Sequence, residues 1–240
     1  MTEKFIEVDG LTKSYDGRKV VDDLSFCVNK GEVFGLLGHN GAGKSTTIEL
    51  ILGLKKPDAG SAKLFGMNAS KNRKEVFARV GVQLQTCAYQ TGIKVYELCE
   101  EYSALYSKPA DYRELLDRFG LWEFRKSNVM KLSGGERQKL SIVLSLLGNP
   151  DVIFMDELTT GLDVEARREV WKILVNLKKK GLTILLTTHY MEEAEKLCDN
   201  ICIIKKGRII TKGSVESVIN STPHDNLEDA YLWYMNEEEE

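Results

Sequence analysis

The chain has 240 residues, of which 42% are apolar and 29% charged, with 20 glycines, 4 prolines and a formal net charge of −3. These proportions lie near the averages of globular proteins, exclude a collagen-like or disordered chain, and suit one large domain or a core domain with a subdomain folded against it. The slight acidic balance argues against a protein that mainly grips nucleic acid, because no basic excess is present to displace counterions from phosphates.

The opening third reads as strands. Phe5, Ile6 and Val8, then Val20, Val21, Leu24, Phe26 and Val28, form β-leaning runs separated by DG, YDG and NKG turn signals. The N-terminus, MTEKFIEVDG, has neither the apolar core nor the cleavage site of a secretory signal. EVFGLLG (32–38) is an apolar strand that stops at glycine and feeds into GHNGAGKST (38–46) and a helix. Between Gln85 and about Leu132 strand signals vanish, and VYELCEEYSALY and DYRELLDRF predict helices, so residues 86–131 read as a helical insertion. A helix from near Gly135 puts Leu140, Val143, Leu144 and Leu147 on one stripe. There follow the strand VIFM (152–155), a helix with Val170, Ile173, Leu174 and Leu177 on one face, and the strand TILLTT (183–188). The run Lys178, Lys179 and Lys180 reads as a solvated helix end rather than a binding patch. NICIIKKGRIITKG (200–213) predicts a hairpin turning at KKG, and the tail predicts a polar helix and a solvated stretch of four glutamates. Strands alternating with helices imply an α/β fold whose mainly parallel sheet is covered on both faces.

Cys27, Cys87, Cys99, Cys198 and Cys202 form no C-x-x-C pair, and none has a histidine at zinc-ligand spacing, so they read as reduced, mostly buried thiols of a cytosolic protein. The longest apolar runs fall far short of the roughly 18–20 residues that a membrane helix needs. The chain itself is therefore expected not to cross a membrane.

Four positions carry a phosphate-binding signal. Gly38, Gly43, Lys44 and Ser45 fill every fixed place of G-x-x-x-x-G-K-[ST], directly after an apolar strand. Glycines let the backbone N–H groups of Asn40, Gly41, Ala42, Gly43 and Lys44 converge on a β-phosphate, Lys44 neutralises phosphate oxygens, and Ser45 ligates Mg²⁺, with Thr46 beside it. The plainer reading, an ordinary glycine turn before a helix, is weak given the strand upstream. In VIFMDE the strand delivers Asp156 and Glu157 to its C-terminal end, where ligands of open α/β sheets sit. Asp156 would then hold Mg²⁺ and Glu157 would polarise the attacking water. Adjacent acids also begin helices as plain solvated charges, and the four apolar residues before them are what favours the functional reading. His189 ends the strand TILLTT and Gln85 closes RVGVQLQ; residue chemistry alone leaves both open between structural and catalytic roles.

LSGGERQ at 132–138 completes the picture. With these motifs in order, the chain resembles the ATP-binding cassette subunits of ABC transporters from about residue 3 to residue 219. The resemblance implies a P-loop NTPase core (residues 1–220) with an N-terminal antiparallel β-subdomain and the inserted helical subdomain, followed by a C-terminal polar helix and acidic tail (221–240). It implies that Gln85 reaches Mg²⁺ and the lytic water, that Asp163 makes an inter-subunit contact, that His189 is the switch histidine on the γ-phosphate, and that Tyr15 stacks on adenine. It further implies that two cassettes pair head to tail, so that Ser133, Gly134, Gly135 and Glu136 of one face the nucleotide held by the other; a second copy of this chain is the favoured partner. The helix opening at Ser-Gly-Gly suits that role as a second anion site. His39 and Leu158 depart from the family, standing where proline is usual.

A separate transmembrane permease would carry the cargo, with this chain held against it on the cytoplasmic side of the cell membrane. The insertion resembles the part that docks the permease, and THYMEEAE and LEDAYL resemble the drug, antibiotic-immunity and sodium exporters. Two rival readings remain at this stage. A soluble ABC ATPase of translation or DNA maintenance would usually show two cassettes, a long coiled coil or a basic surface, and a silent ATP-binding module would lack Lys44 or Glu157.

Overall fold

The computed structural model describes residues 3–83 and 89–236. Strands β1 (Lys4–Tyr15), β2 (Arg18–Asn29) and β4 (Ala59–Leu64) form an antiparallel sheet in the order β2-β1-β4. The sequence suggested short runs here, but β1 and β2 are each 12 residues long, kept continuous by bulges between Val8 and Leu11 and between Leu11 and Lys13.

A second sheet runs β5-β6-β7-β3-β8-β9, built from β3 (Val33–Leu37), β5 (Val80–Gln83), β6 (Val152–Asp156), β7 (Thr183–Thr188), β8 (Asn200–Lys205) and β9 (Arg208–Ser214). Its pairs are parallel except the β8–β9 hairpin. Every residue of β3, β6 and β7 is buried, as expected of parallel strands covered on both faces.

The period-two alternation of these strands divides the interior into two cores. Val33, Leu37, Ile153, Met155, Ile184, Leu186, Ile201 and Ile203 face one side, while Phe34, Leu36, Val152, Phe154, Leu185, Cys202 and Ile204 face the antiparallel sheet. On the antiparallel side lies helix α1 (Lys44–Ile51), with the short α2 (Arg73–Phe77) beside it. Phe154 is fully buried, and truncating it to alanine would cost about 3–5 kcal/mol.

The other face is covered by α3 (Val95–Ser103), α4 (Tyr112–Arg118), α5 (Gly134–Leu146), α6 (Val164–Lys179) and α7 (Met191–Leu197). Leu98, Leu116 and Leu121 of the insertion share this core with Leu140 and Val143 of α5, so the helical segment is packed continuously with the sheet. Helix α5 starts at Ser133 because its hydroxyl accepts from the Glu136 N–H while the Glu136 carboxylate accepts from the Ser133 N–H. Helix α6 turns Val170, Trp171, Leu174 and Leu177 inward and ends in Lys178 and Lys179, favourable charges at a helix C-terminus. Lys178 is not simply solvated, since it lies 2.6 Å from Asp199.

The chain then forms α8 (Val215–Asn220) and α9 (Leu227–Asn236). Leu227, Ala230 and Tyr234 of α9 are buried, Tyr234 donates to the Val218 carbonyl, and Lys205 donates to the Met235 carbonyl at 2.6 Å. Cys99, Cys198 and Cys202 are buried and Cys27 is exposed; burial pushes the Cys99 and Cys202 thiols up to about 12. Cys87 lies outside the described residues, and among those described no helix is long and apolar enough to cross a membrane.

Candidate nucleotide site

The loop 38–43 joins the end of β3 to the first turn of α1, and its shape is imposed by what touches it. A Cβ on Gly38 would lie 2.5 Å from the Ile204 carbonyl oxygen, and one on Gly43, at φ +106°, would lie 2.4 Å from the Val20 carbonyl oxygen. Only glycine fits between these two backbones. The β8–β9 turn belts the loop from outside: the Gly207 N–H donates to the Ala42 carbonyl at 3.1 Å, and the Asp22 N–H donates to the Gly207 carbonyl at 2.9 Å. Asp22 is itself gripped by Lys19 and Arg208, each at 2.6 Å, and those hydrogen bonds, Lys19's foremost, hold its carboxyl below the usual range.

Helix α1 presents its N-terminus to this loop with no acidic residue in its first turn, which leaves the end of the helix free to attract an anion. Asn40, Gly41, Gly43, Lys44, Ser45, Thr46 and Glu157, with Val20, line a depression of about 300 Å³. Lys44 is buried there. Its ammonium donates to the carbonyls of Gly38 (2.7 Å) and His39 (3.2 Å) and lies 3.3 Å from Glu157 Oε1.

Three strand ends bring the acidic pair to the loop. Parallel register sets Leu37 beside Thr188 and Asp156 beside Thr187, so β3, β7 and β6 finish on one level. Thr187 organises the acids: its hydroxyl donates to Asp156, and its oxygen atoms, Oγ1 and the carbonyl, receive the Glu157 N–H at 3.0 and 3.1 Å. Glu157 adopts φ +50°, an uncommon conformation for a non-glycine residue, which turns its side chain off the strand direction. His189 Nδ1 stands 3.7 Å from Glu157 Oε1. Neither Thr187 nor Val20 was read from the sequence as a site residue; Thr187 sits two residues before His189 in a strand-end threonine pair, and Val20 was read only as part of a strand.

The remaining described candidates do not line that depression. Tyr15 ends β1, 38% exposed, with the ammonium groups of Lys55 and Lys13 at 5.3 and 5.6 Å from its ring centroid. Ser133 and Gly134 are exposed, and Gly135 and Glu136 half-buried, at the start of α5. Gly134 does not line the phosphate-loop depression; it lines a second one of about 380 Å³, which Glu157 also borders. Asp163 is exposed and caps α6, its carboxylate accepting from the Ala166 N–H at 2.8 Å. The loop between Glu157 and Asp163 is tied on both sides, as Gln138 of α5 donates to the Leu158 carbonyl and Thr159 donates to Glu193 of α7. Gln85 lies outside the described residues.

Among the described residues no group of three His, Cys, Asp or Glu side chains is placed to hold a metal. The Ser45 hydroxyl and the Asp156 carboxylate are nonetheless hard oxygen donors, and that sparse set fits Mg²⁺, which takes most of its ligands from water and phosphates.

A glycine loop and buried lysine at the end of one parallel strand, with an acid pair on the next strand but one, define a nucleotide hydrolase of the P-loop class. A family model described as ABC transporter matches residues 21–160. The chain is 43% identical over 221 residues to Nod factor export ATP-binding protein I of Ralstonia nicotianae, covering 89% of this chain and 68% of that protein. It is 39% identical over 222 residues to the daunorubicin/doxorubicin resistance ATP-binding protein DrrA of Streptomyces peucetius, covering 90% and 67%. A solved ATP-binding subunit of an ABC transporter superposes with a TM-score of 0.87 at 29% identity, covering 97% of this chain and all of that one. The chain belongs to the ABC transporter family, as an ATP-binding and ATP-hydrolysing subunit.

Proposed function

We propose that the chain powers an exporter, working as a pair of cassettes against a separate membrane permease on the cytoplasmic side. The relatives' names speak of export and of drug resistance. The reading of import, or of a soluble ATPase, has no comparable support. The cargo would be chosen by the permease.

In this reading the backbone N–H groups of the 38–43 loop and the Lys44 ammonium receive the phosphates of ATP, and Tyr15 stacks on the adenine. Ser45, Asp156 and Gln85 would hold Mg²⁺, which, when bound, screens the phosphate charge. Glu157 takes up the proton of the attacking water, and His189 orients the γ-phosphate beside it. Ser133, Gly134, Gly135 and Glu136 complete the site of the facing cassette, and Asp163 lies on the same contact. ATP then joins two subunits and its hydrolysis releases them, a population shift that the permease converts into transport.

One observation supports the pairing: Gly134, exposed in the first turn of α5, lines a depression that shares Glu157 with the phosphate-loop depression but contains no residue of the phosphate loop itself. In a head-to-tail pair this helix start would face the phosphates held by the other cassette, where its N-terminal N–H groups suit an anion. The test is the solution mass of Glu157→Gln by light scattering, with and without ATP and Mg²⁺. A shift from 27.1 kDa to about twice that supports self-pairing. A monomer that still binds ATP would reject the homodimer and point to a different partner cassette.

A further inference from the structure

Glu193 is a carboxylate shut away from water, 2% exposed, on α7 and outside the lining of the phosphate-loop depression. A buried carboxylate needs donors, and Glu193 has two on one oxygen: the Thr159 hydroxyl and the Trp171 indole N–H, each 2.9 Å from Oε1. Both donors are themselves buried. Each belongs to a different segment of the chain. Thr159 is the second residue after Glu157, Trp171 lies on the helix that Asp163 caps, and α7 begins two residues after His189.

A leucine or methionine would fill this position without desolvating a charge. What the carboxylate adds is a single acceptor at which the loop after Glu157, helix α6 and helix α7 are joined. Glu157 at φ +50° depends on its neighbours to keep that backbone conformation, and the segment it opens is held by this contact.

We propose that Glu193 is a positioning residue for hydrolysis: it ties the loop that follows Glu157 to the helix that follows His189, so that the carboxylate and the imidazole keep their 3.7 Å spacing. The proposal rests on the reading of Glu157 as the group that activates water. The link between α7 and the Glu157 carboxylate runs through Thr159.

The test is steady-state ATP hydrolysis by the purified chain carrying Glu193→Leu, Thr159→Val, Glu193→Gln or Glu193→Leu with Thr159→Val. In Glu193→Leu, kcat should fall on the order of 10- to 100-fold, the loss that follows misplacement of a reacting group by about 1 Å. KM should stay within about 2-fold, because phosphate binding is untouched. Glu193→Gln, whose amide oxygen can accept from both donors, should recover most of the turnover, which a requirement for charge would not allow. The double variant should be no slower than Glu193→Leu, since that change already removes the contact that Thr159→Val removes. Should Glu193→Leu fail to fold, Thr159→Val carries the test with a smaller drop in kcat. Wild-type kcat in both, a Glu193→Gln as slow as Glu193→Leu, or a loss confined to KM would overturn the proposal. Glu157→Gln is measured beside them. Full turnover there rejects the reading of Glu157, whereas lost turnover there with a wild-type Glu193→Leu rejects the tether alone.

Discussion

Lys44 Nζ lies 3.3 Å from Glu157 Oε1, with only 3% and 7% of the two side chains exposed. The cation proposed to receive phosphate is held by the carboxylate proposed to activate water, and in that reading an incoming nucleotide competes with Glu157 for Lys44. Replacing Glu157 by glutamine removes a charge-assisted contact worth about 1.5–3 kcal/mol. ADP affinity should then rise on the order of 10- to 100-fold, while ATP turnover falls by roughly 10²–10⁴. Calorimetric titration with ADP, which separates binding from hydrolysis, checks the first half. Unchanged ADP affinity would show that the pair does not compete.

Ser133→Arg should leave ATP binding to the monomer nearly intact and abolish hydrolysis, because Ser133 does not line the phosphate-loop depression. Loss of its cap on α5 should cost about 1 kcal/mol of stability, visible as a small drop in melting temperature. Mixing this variant with Lys44→Ala should restore no more than one site per pair. Loss of monomeric ATP affinity in Ser133→Arg would remove the case for a site completed by another chain.

Gly207 sits at φ +83°, and a Cβ there would stand 2.7 Å from the Val20 carbonyl oxygen. Gly207→Ala should lower the unfolding free energy by about 1–3 kcal/mol. It should also weaken nucleotide binding, because the Gly207 N–H holds the Ala42 carbonyl of the phosphate loop. Urea unfolding and ADP titration give the two readings, and a destabilised protein with unaltered affinity would show that the belt does not shape the loop.

Asp22 contributes to stability in a pH-dependent way. Its carboxyl is held below its ordinary value by Lys19 and Arg208, so the contribution is present above the unfolded value of about 3.9 and is lost as pH falls through the lower folded value. The melting temperature of Asp22→Asn should therefore lie below that of the wild type at neutral pH, and the two curves should converge below about pH 4. A constant gap across that window would mean that the ionised carboxylate is not what matters.

Local motifs carried the sequence reading far. G-x-x-x-x-G-K-S, the acids after VIFM and the Ser-Gly-Gly helix start were legible because each places its chemistry within a few residues. The alternation of strands with helices likewise implied a parallel sheet covered on both faces, and β3 and β6 are indeed buried throughout. The β1 and β2 lengths were less legible, because bulges and interposed polar residues interrupt the alternation.

Contacts between distant segments were decided only by the tertiary structure. The strand order β6-β7-β3 and its register bring Glu157 to Lys44 and Thr187 to Asp156. The belt of Gly207 over Ala42 and the tether of Glu193 to Thr159 follow from the same packing. The sequence by itself determined which residues could hold phosphate and activate water, since glycine freedom, lysine charge and carboxylate basicity belong to the residues. Which of them face one another depended on strand order and register, because a one-residue slip would turn each side chain to the opposite face of the sheet.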